Sequence, residues 1–331
     1  MKTLGPTKNF LAIEDKYSSL DTASIAIVSA PYEHTVSYGG GAGKGPKAIL
    51  KASAYVEFYD DEFDRELCFE EGITTLKPLS FGKSVDRAAL DILEEQVTNL
   101  LDMEKFVVTL GGEHTISTAP IAAHYRRYPK MSILQFDAHS DLRASYEGSP
   151  WSHASIMARV AEFFPSERIT QVGIRAQCKE EAEFIRSHGV QTFYASGIRR
   201  GTYGDWIERV VNSLGQDVYV TFDVDALDPA EMPSTGTPEP EGLRYTEALA
   251  VLRALVASGR NIIGFDVVEL APIEGLHYPD LTAARLVYKM LNLAYESRRK
   301  QPTPEPPQRR TRTSSRRKQT RRTTPRKGTR K

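Results

Sequence analysis

The chain has 331 residues, 40% of them hydrophobic and 26% charged, an ordinary globular composition with enough length to bury one large α/β core. No apolar run is long enough to span a bilayer, and the first eleven residues lack the charged-then-apolar pattern of a signal peptide. The net charge of zero conceals a division: Arg298 to Lys331 carry 15 Lys and Arg against Glu305 alone, leaving 28 basic and 42 acidic residues elsewhere.

In chain order, an apolar run at 24–29 (SIAIVS) is the first predicted strand, and a glycine-rich stretch, SYGGGAGKGPKAIL, follows at 37–50. Val85, Ala89, Ile92, Leu93, Val97 and Leu100 recur at helical spacing and predict a helix over 85–101. The run 106–110 (FVVTL) ends in Gly111-Gly112-Glu113-His114, before helical spacing at 115–127. The run 131–136 (MSILQF) ends in Asp137-Ala138-His139-Ser140-Asp141. Helices at 152–164, 179–188 and 203–214 alternate with strands at 168–174 and 190–195. The strand 217–222 (DVYVTF) ends in Asp223-Val224-Asp225, and the strand 261–268 (NIIGFDVV) ends in Glu269. Helical spacing at 246–258 and 282–297 completes the body.

Strands that are apolar throughout are buried on both faces. Their alternation with helices predicts a mostly parallel central sheet covered on each side. One domain over 1–298 is expected, followed by a basic tail over 299–331. That tail has no aliphatic or aromatic residue, so it cannot offset its ordering entropy and is expected to be disordered. Cys68 and Cys178 lie far apart and define no disulfide framework, which favours a cytoplasmic setting.

In a parallel α/β sheet, ligands bind beyond the carboxyl ends of the strands. Polar residues follow four of the predicted strands. Side chains at i, i+2 and i+4 of an extended segment share a side, which would bring Asp137, His139 and Asp141 together, and likewise Asp223 and Asp225. With His114 these make four carboxylates and two imidazoles. Such crowding repels strongly unless cations intervene. The set is too rich for one catalytic ion with an open position and suits two divalent ions, with the oxygen-heavy donors favouring Mn²⁺.

GGEHTIS, FDAHSD, TFDVDALDP…GTPEPEGL and GFDVVELAP resemble the motifs of the ureohydrolase family, the arginases and agmatinases, over about residues 20–297. The resemblance implies a three-layer α/β/α fold, two Mn²⁺ per subunit, a metal-bridging hydroxide as nucleophile, and a homo-oligomer of three or six subunits. By the same analogy Asp137 and Asp223 bridge the ions, His114 and Asp141 complete one sphere, and His139 and Asp225 the other. Glu269 matches the carboxylate that orients the guanidinium, and His153 matches a histidine that relays protons to the leaving amine. Arginases typically place Asn where this chain has Arg143, and Asp where it has Ala176. Both departures favour a small-molecule substrate without an amino-acid head, agmatine first, giving putrescine and urea in polyamine biosynthesis. Arginine, guanidinobutyrate and other ω-guanidino acids stay open, Arg143 being able to pair with a carboxylate, and Arg175 has no assigned role. Two readings of other kinds are nonspecific nucleic-acid binding through the basic tail and phosphate-ester hydrolysis at the same metals.

Overall fold

The computed structural model describes residues 1–299. Its centre is an eight-stranded sheet: β1 (Ile25–Ala30), β2 (Ile73–Thr75), β3 (Phe106–Gly111), β4 (Ser132–Phe136), β5 (Ile169–Ile174), β6 (Gln191–Tyr194), β7 (Asp217–Asp223) and β8 (Asn261–Val268). The order is β2-β1-β3-β8-β7-β4-β5-β6 and every neighbouring pair is parallel. The chain thus leaves β3 for β4 and returns later to fill the gap between them with β7 and β8. The strands predicted to end in polar residues, β3, β8, β7 and β4, are consecutive neighbours at the centre.

Continuous apolarity has the expected cause. In β1, Ile25 and Ile27 join one core while Ala26, Val28 and Ala30 join the core on the other face. Residues of the helices Gly45–Ser53, Tyr245–Ala257 and Tyr278–Arg299 bury with the first set, and those of Asp86–Asp102 with the second. The result is three layers, helix on sheet on helix.

Several boundaries differ from expectation. β2 is only three residues long, too short for a pattern, and pairs along β1. The helix expected at 115–127 opens as a 3₁₀ turn, His114–Ser117, before Thr118–Arg127. The helix expected at 152–164 is α-helical only over Ile156–Ala161. The last helix starts at Tyr278, with Pro279 at its entrance, and runs to Arg299, one residue past the expected domain end. The tail, expected to be disordered, lies otherwise outside the described residues, among which no helix is long and apolar enough to cross a membrane.

Candidate metal centre

His114 follows β3 because the chain turns sharply at Gly112. A Cβ there would lie 1.9 Å from the carbonyl oxygen of Tyr32, so only glycine fits. Beyond the turn the imidazole is buried, and its Nδ1 faces Asp137 Oδ2 at 3.1 Å, Asp141 Oδ2 at 3.1 Å and Asp223 Oδ2 at 3.3 Å. The other nitrogen, Nε2, lies 2.9 Å from Thr221 Oγ1. That hydroxyl has one proton and donates it to Asp266 Oδ1 at 2.7 Å. Nε2 is therefore the donor to Thr221, so in the neutral ring Nδ1 carries the lone pair. Burial opposes charge on the ring, but with no cation present Asp137, Asp141 and Asp223 outweigh it and favour a proton there.

Asp137 follows β4 directly, with its Oδ2 accepting from Gln135 Nε2 and its Oδ1 from the His139 N–H. His139 Nδ1 lies 2.9 Å from Asp225 Oδ2 and 3.7 Å from Asp137 Oδ1. Two sets of donor atoms, each within 4.8 Å of one another, result: His114, Asp137 and Asp141, and Asp137, His139 and Asp225. Asp137 belongs to both. Asp223 adjoins the first set through His114 and accepts the Asp225 N–H at 2.8 Å.

The convergence arises differently from the expected extended alternation. The strand stops at Phe136, and Asp141 has φ 53°, in the left-handed region that non-glycine residues adopt at a cost of roughly 1–2 kcal/mol. Asp225 sits in a 3₁₀ turn, Val224–Ala226. Turns rather than strand period aim these carboxylates inward.

Electrostatics show what the arrangement lacks. Burial and the charges of Asp225 and Asp137 hold Asp223 well above the carboxylate range, and burial with Asp137 pushes Asp141 up to about 7. Burial opposes charge on His139, but Asp225 and Asp137 outweigh it and push the imidazole up to about 12. The protein's own groups leave this cluster short of positive charge. Oxygen-rich donors around the Nδ1 of a neutral His114 fit divalent cations, whose charge would take the place of the proton the carboxylates otherwise favour on that ring, and the residues present are a matching donor set.

Three further residues form a chain beside it. Glu113, which a glycine turn could have used as a helix cap, instead accepts from the N–H groups of His34 and Thr35 and from the hydroxyls of Thr35 and Thr115. The Thr35 proton goes to Glu113, so the oxygen accepts from His153, by its backbone N–H and by Nδ1, each at 3.1 Å. His153 Nε2 is then unprotonated and faces Ser37 Oγ at 3.2 Å. Burial lowers the His153 pKa despite Glu113 nearby. Thr35 and Ser37 carry no sequence signal, lying in an irregular loop far from His153 in sequence.

Glu269 closes the site after β8. Its φ of 64° turns the carboxylate back so that Oε1 accepts the His114 N–H at 2.5 Å. Burial and the charge of Glu113 raise its pKa well above the usual value. His114, His139, Asp141, Asp223, Asp225, His153 and Glu269 all line one cleft of about 480 Å³, with Arg143, Arg175 and Glu239 among its other walls. Arg175 is committed to backbone: its guanidinium donates to the carbonyls of Gly173, Asp225 and Glu239. Arg143 lies 3.6 Å from Glu181 and over the Tyr146 ring. Of the remaining histidines, His124 is fully buried, and His34, His188 and His277 are exposed.

Residues 23–292 match the Arginase family. The chain is 38% identical to an N(1)-aminopropylagmatine ureohydrolase of Synechocystis sp., over 90% of this chain and 97% of that protein. It is 36% identical to an agmatinase of Bacillus cereus, over 83% and 93% respectively. Among solved structures, the agmatine ureohydrolase of Thermoplasma volcanium superposes with a TM-score of 0.77 at 26% identity, covering 88% of this chain and 96% of that one. The arginase of Medicago truncatula superposes with a TM-score of 0.72 at 27% identity, covering 83% and 88%.

Proposed function

The chain belongs to the arginase family, an agmatinase-like ureohydrolase, and from that premise we propose that it hydrolyses agmatine to urea and putrescine with two Mn²⁺ per subunit. The observation that carries the reading is the pair of donor sets sharing Asp137. His114 and Asp141 would hold one ion with Asp137, and His139 and Asp225 the other, with Asp223 beside His114. When bound, the ions supply charge that lowers the pKa of water towards neutrality, which a guanidinium, a poor electrophile, requires.

The chain's own groups support the remaining steps. Glu269 presents a carboxylate at the metal end of the cleft, suited to paired N–H donors of a guanidinium. Its hydrogen bond from His114 fixes that position. His153 offers an unprotonated Nε2 to the cleft while Thr35 and Glu113 hold its Nδ1–H, so Nε2 can accept the proton released by the attacking water and pass it to the leaving amine. Its lowered pKa keeps the ring neutral to lower pH than an ordinary histidine.

The longer substrate named for the Synechocystis relative, N(1)-aminopropylagmatine, is the second reading, favoured by that identity and by a cleft roomy enough for an extended polyamine. A homo-oligomer of three or six subunits in the cytoplasm completes the proposal. Urea release from Mn²⁺-loaded protein with agmatine, aminopropylagmatine, arginine and guanidinobutyrate, and phosphate release with a phosphate ester, test it. Turnover of one or both agmatine compounds far above the others is expected. Comparable turnover of arginine and agmatine contradicts it.

A further inference from the structure

The cleft is lined by six carboxylates: Asp141, Asp223, Asp225, Glu181, Glu239 and Glu269. Five are already engaged. The three aspartates face the imidazoles of the metal centre, and Glu269 accepts the His114 N–H. Glu181 is buried and accepts the N–H groups of Leu142 and Cys178, with Arg143 at 3.6 Å. Glu239 differs. It is half-buried, and among the described residues its carboxylate has neither a hydrogen-bond donor nor an ion-pair partner.

Its backbone, by contrast, is held firmly. Arg175 donates to the Glu239 carbonyl through Nε at 3.2 Å and Nη2 at 2.8 Å, and the same Nη2 reaches the Asp225 carbonyl at 2.7 Å. The Arg175 backbone N–H donates to Ala138, between Asp137 and His139. Arg175 thus staples the Glu239 loop to both metal-donor turns, by its guanidinium to the Asp225 turn and by its backbone N–H to the Asp137–His139 turn. A fixed backbone carrying an uncommitted carboxylate, at a set position from the chemistry, is preorganised for a ligand group.

The charge around it selects the class of that group. Of the cleft's two arginines, Arg175 donates to carbonyls and reaches the Glu239 carboxylate only through its charge, while Arg143 lies 3.6 Å from Glu181 and over the Tyr146 face. A carboxylate that is partly shielded from water and lacks a partner is satisfied best by a cation. We propose that Glu239 binds the ammonium group remote from the guanidinium, so that this cleft selects cationic guanidines and rejects ω-guanidino acids. The inference rests on the reaction proposed above and names the residue that reads the substrate's far end.

The test compares agmatine with butylguanidine, which lacks only the amine, in wild type and Glu239→Gln. The substitution is expected to raise KM for agmatine about 10- to 100-fold, with kcat within about twofold, the range of one hydrogen bond to a charged group. Butylguanidine kcat/KM should stay unchanged. Glu239→Lys should shift preference towards guanidinobutyrate, a readout independent of the first variant. Equal losses on agmatine and butylguanidine would assign Glu239 to holding the loop and overturn the inference, as would an indifferent Glu239→Gln. Wild-type protein inert towards both guanidines overturns the proposed reaction and this inference with it.

Discussion

Two groups of buried carboxylates share one sheet and meet opposite surroundings. Asp266, within β8, accepts hydroxyls from Ser117, Thr221 and Tyr219 at 2.7–2.9 Å, donors that counter without cancelling the rise in its pKa that burial causes. Asp137, Asp141, Asp223 and Asp225, at and just past the strand ends, face one another and the His114 and His139 imidazoles, and Asp141 and Asp223 are held above the usual carboxylate range by burial and neighbouring aspartates. Burial alone therefore does not mark a functional carboxylate. The mark is a buried acid whose own fold withholds sufficient donors. The two groups are connected, because Thr221 links Asp266 to His114 and sets the tautomer that leaves Nδ1 exposed to the cluster.

The largest expected effect comes from breaking the cluster at the strand ends. Asp137→Asn removes the donor common to both sets and should empty the site and lower kcat by roughly 10³-fold or more. Metal analysis alongside urea release checks this. Asp223→Asn should lose metal and activity together, since the Asp223 carboxylate faces His114 Nδ1 at 3.3 Å beside the first donor set. Glu269→Gln should keep metal yet lose about 10²- to 10³-fold in kcat; an emptied site would instead make Glu269 a support for His114.

A second pair of buried groups sharpens the contrast. His114 sits among carboxylates that favour its charge, whereas His124 has only the Pro120 carbonyl, and burial pushes its pKa down to about 4. An unfolded histidine titrates near 6.5, so below that pH the unfolded chain binds a proton that folded His124 refuses. Stability should fall by about 3 kcal/mol as pH drops from 6.5 to 4, and His124→Gln should flatten this portion of the denaturation profile. A profile unchanged by the substitution would contradict the neutral buried ring. The smallest effect is expected at the link itself. Thr221→Val frees the His114 tautomer and should weaken metal binding about 10- to 100-fold, read by metal titration, with the fold retained.

Much of this was legible in the residues. β1, β3, β4, β5, β7 and β8 read as apolar runs because both faces of the sheet are covered there, and the metal donors stand out where three of these runs, β3, β4 and β7, end. β2 escaped because three residues carry no period. The turns that aim Asp141 and Asp225 were hidden, since left-handed and 3₁₀ backbone at an Asp follows from tertiary contacts rather than residue type. Asp266 gave no signal inside NIIGFDVV, because its meaning depends on sheet register, which pairs it with Thr221. Thr35, Ser37 and the staple formed by Arg175 likewise exist only after distant segments meet.

Anomalous scattering from a crystal soaked in Mn²⁺ tests the central claim most directly. Two ions roughly 3.5–4 Å apart, with the Asp137 carboxylate touching both and His114 Nδ1 on one, are the expected result. A soaked crystal with no ion between His114 and Asp137, or with a single ion that leaves His139 and Asp225 unligated, would contradict it.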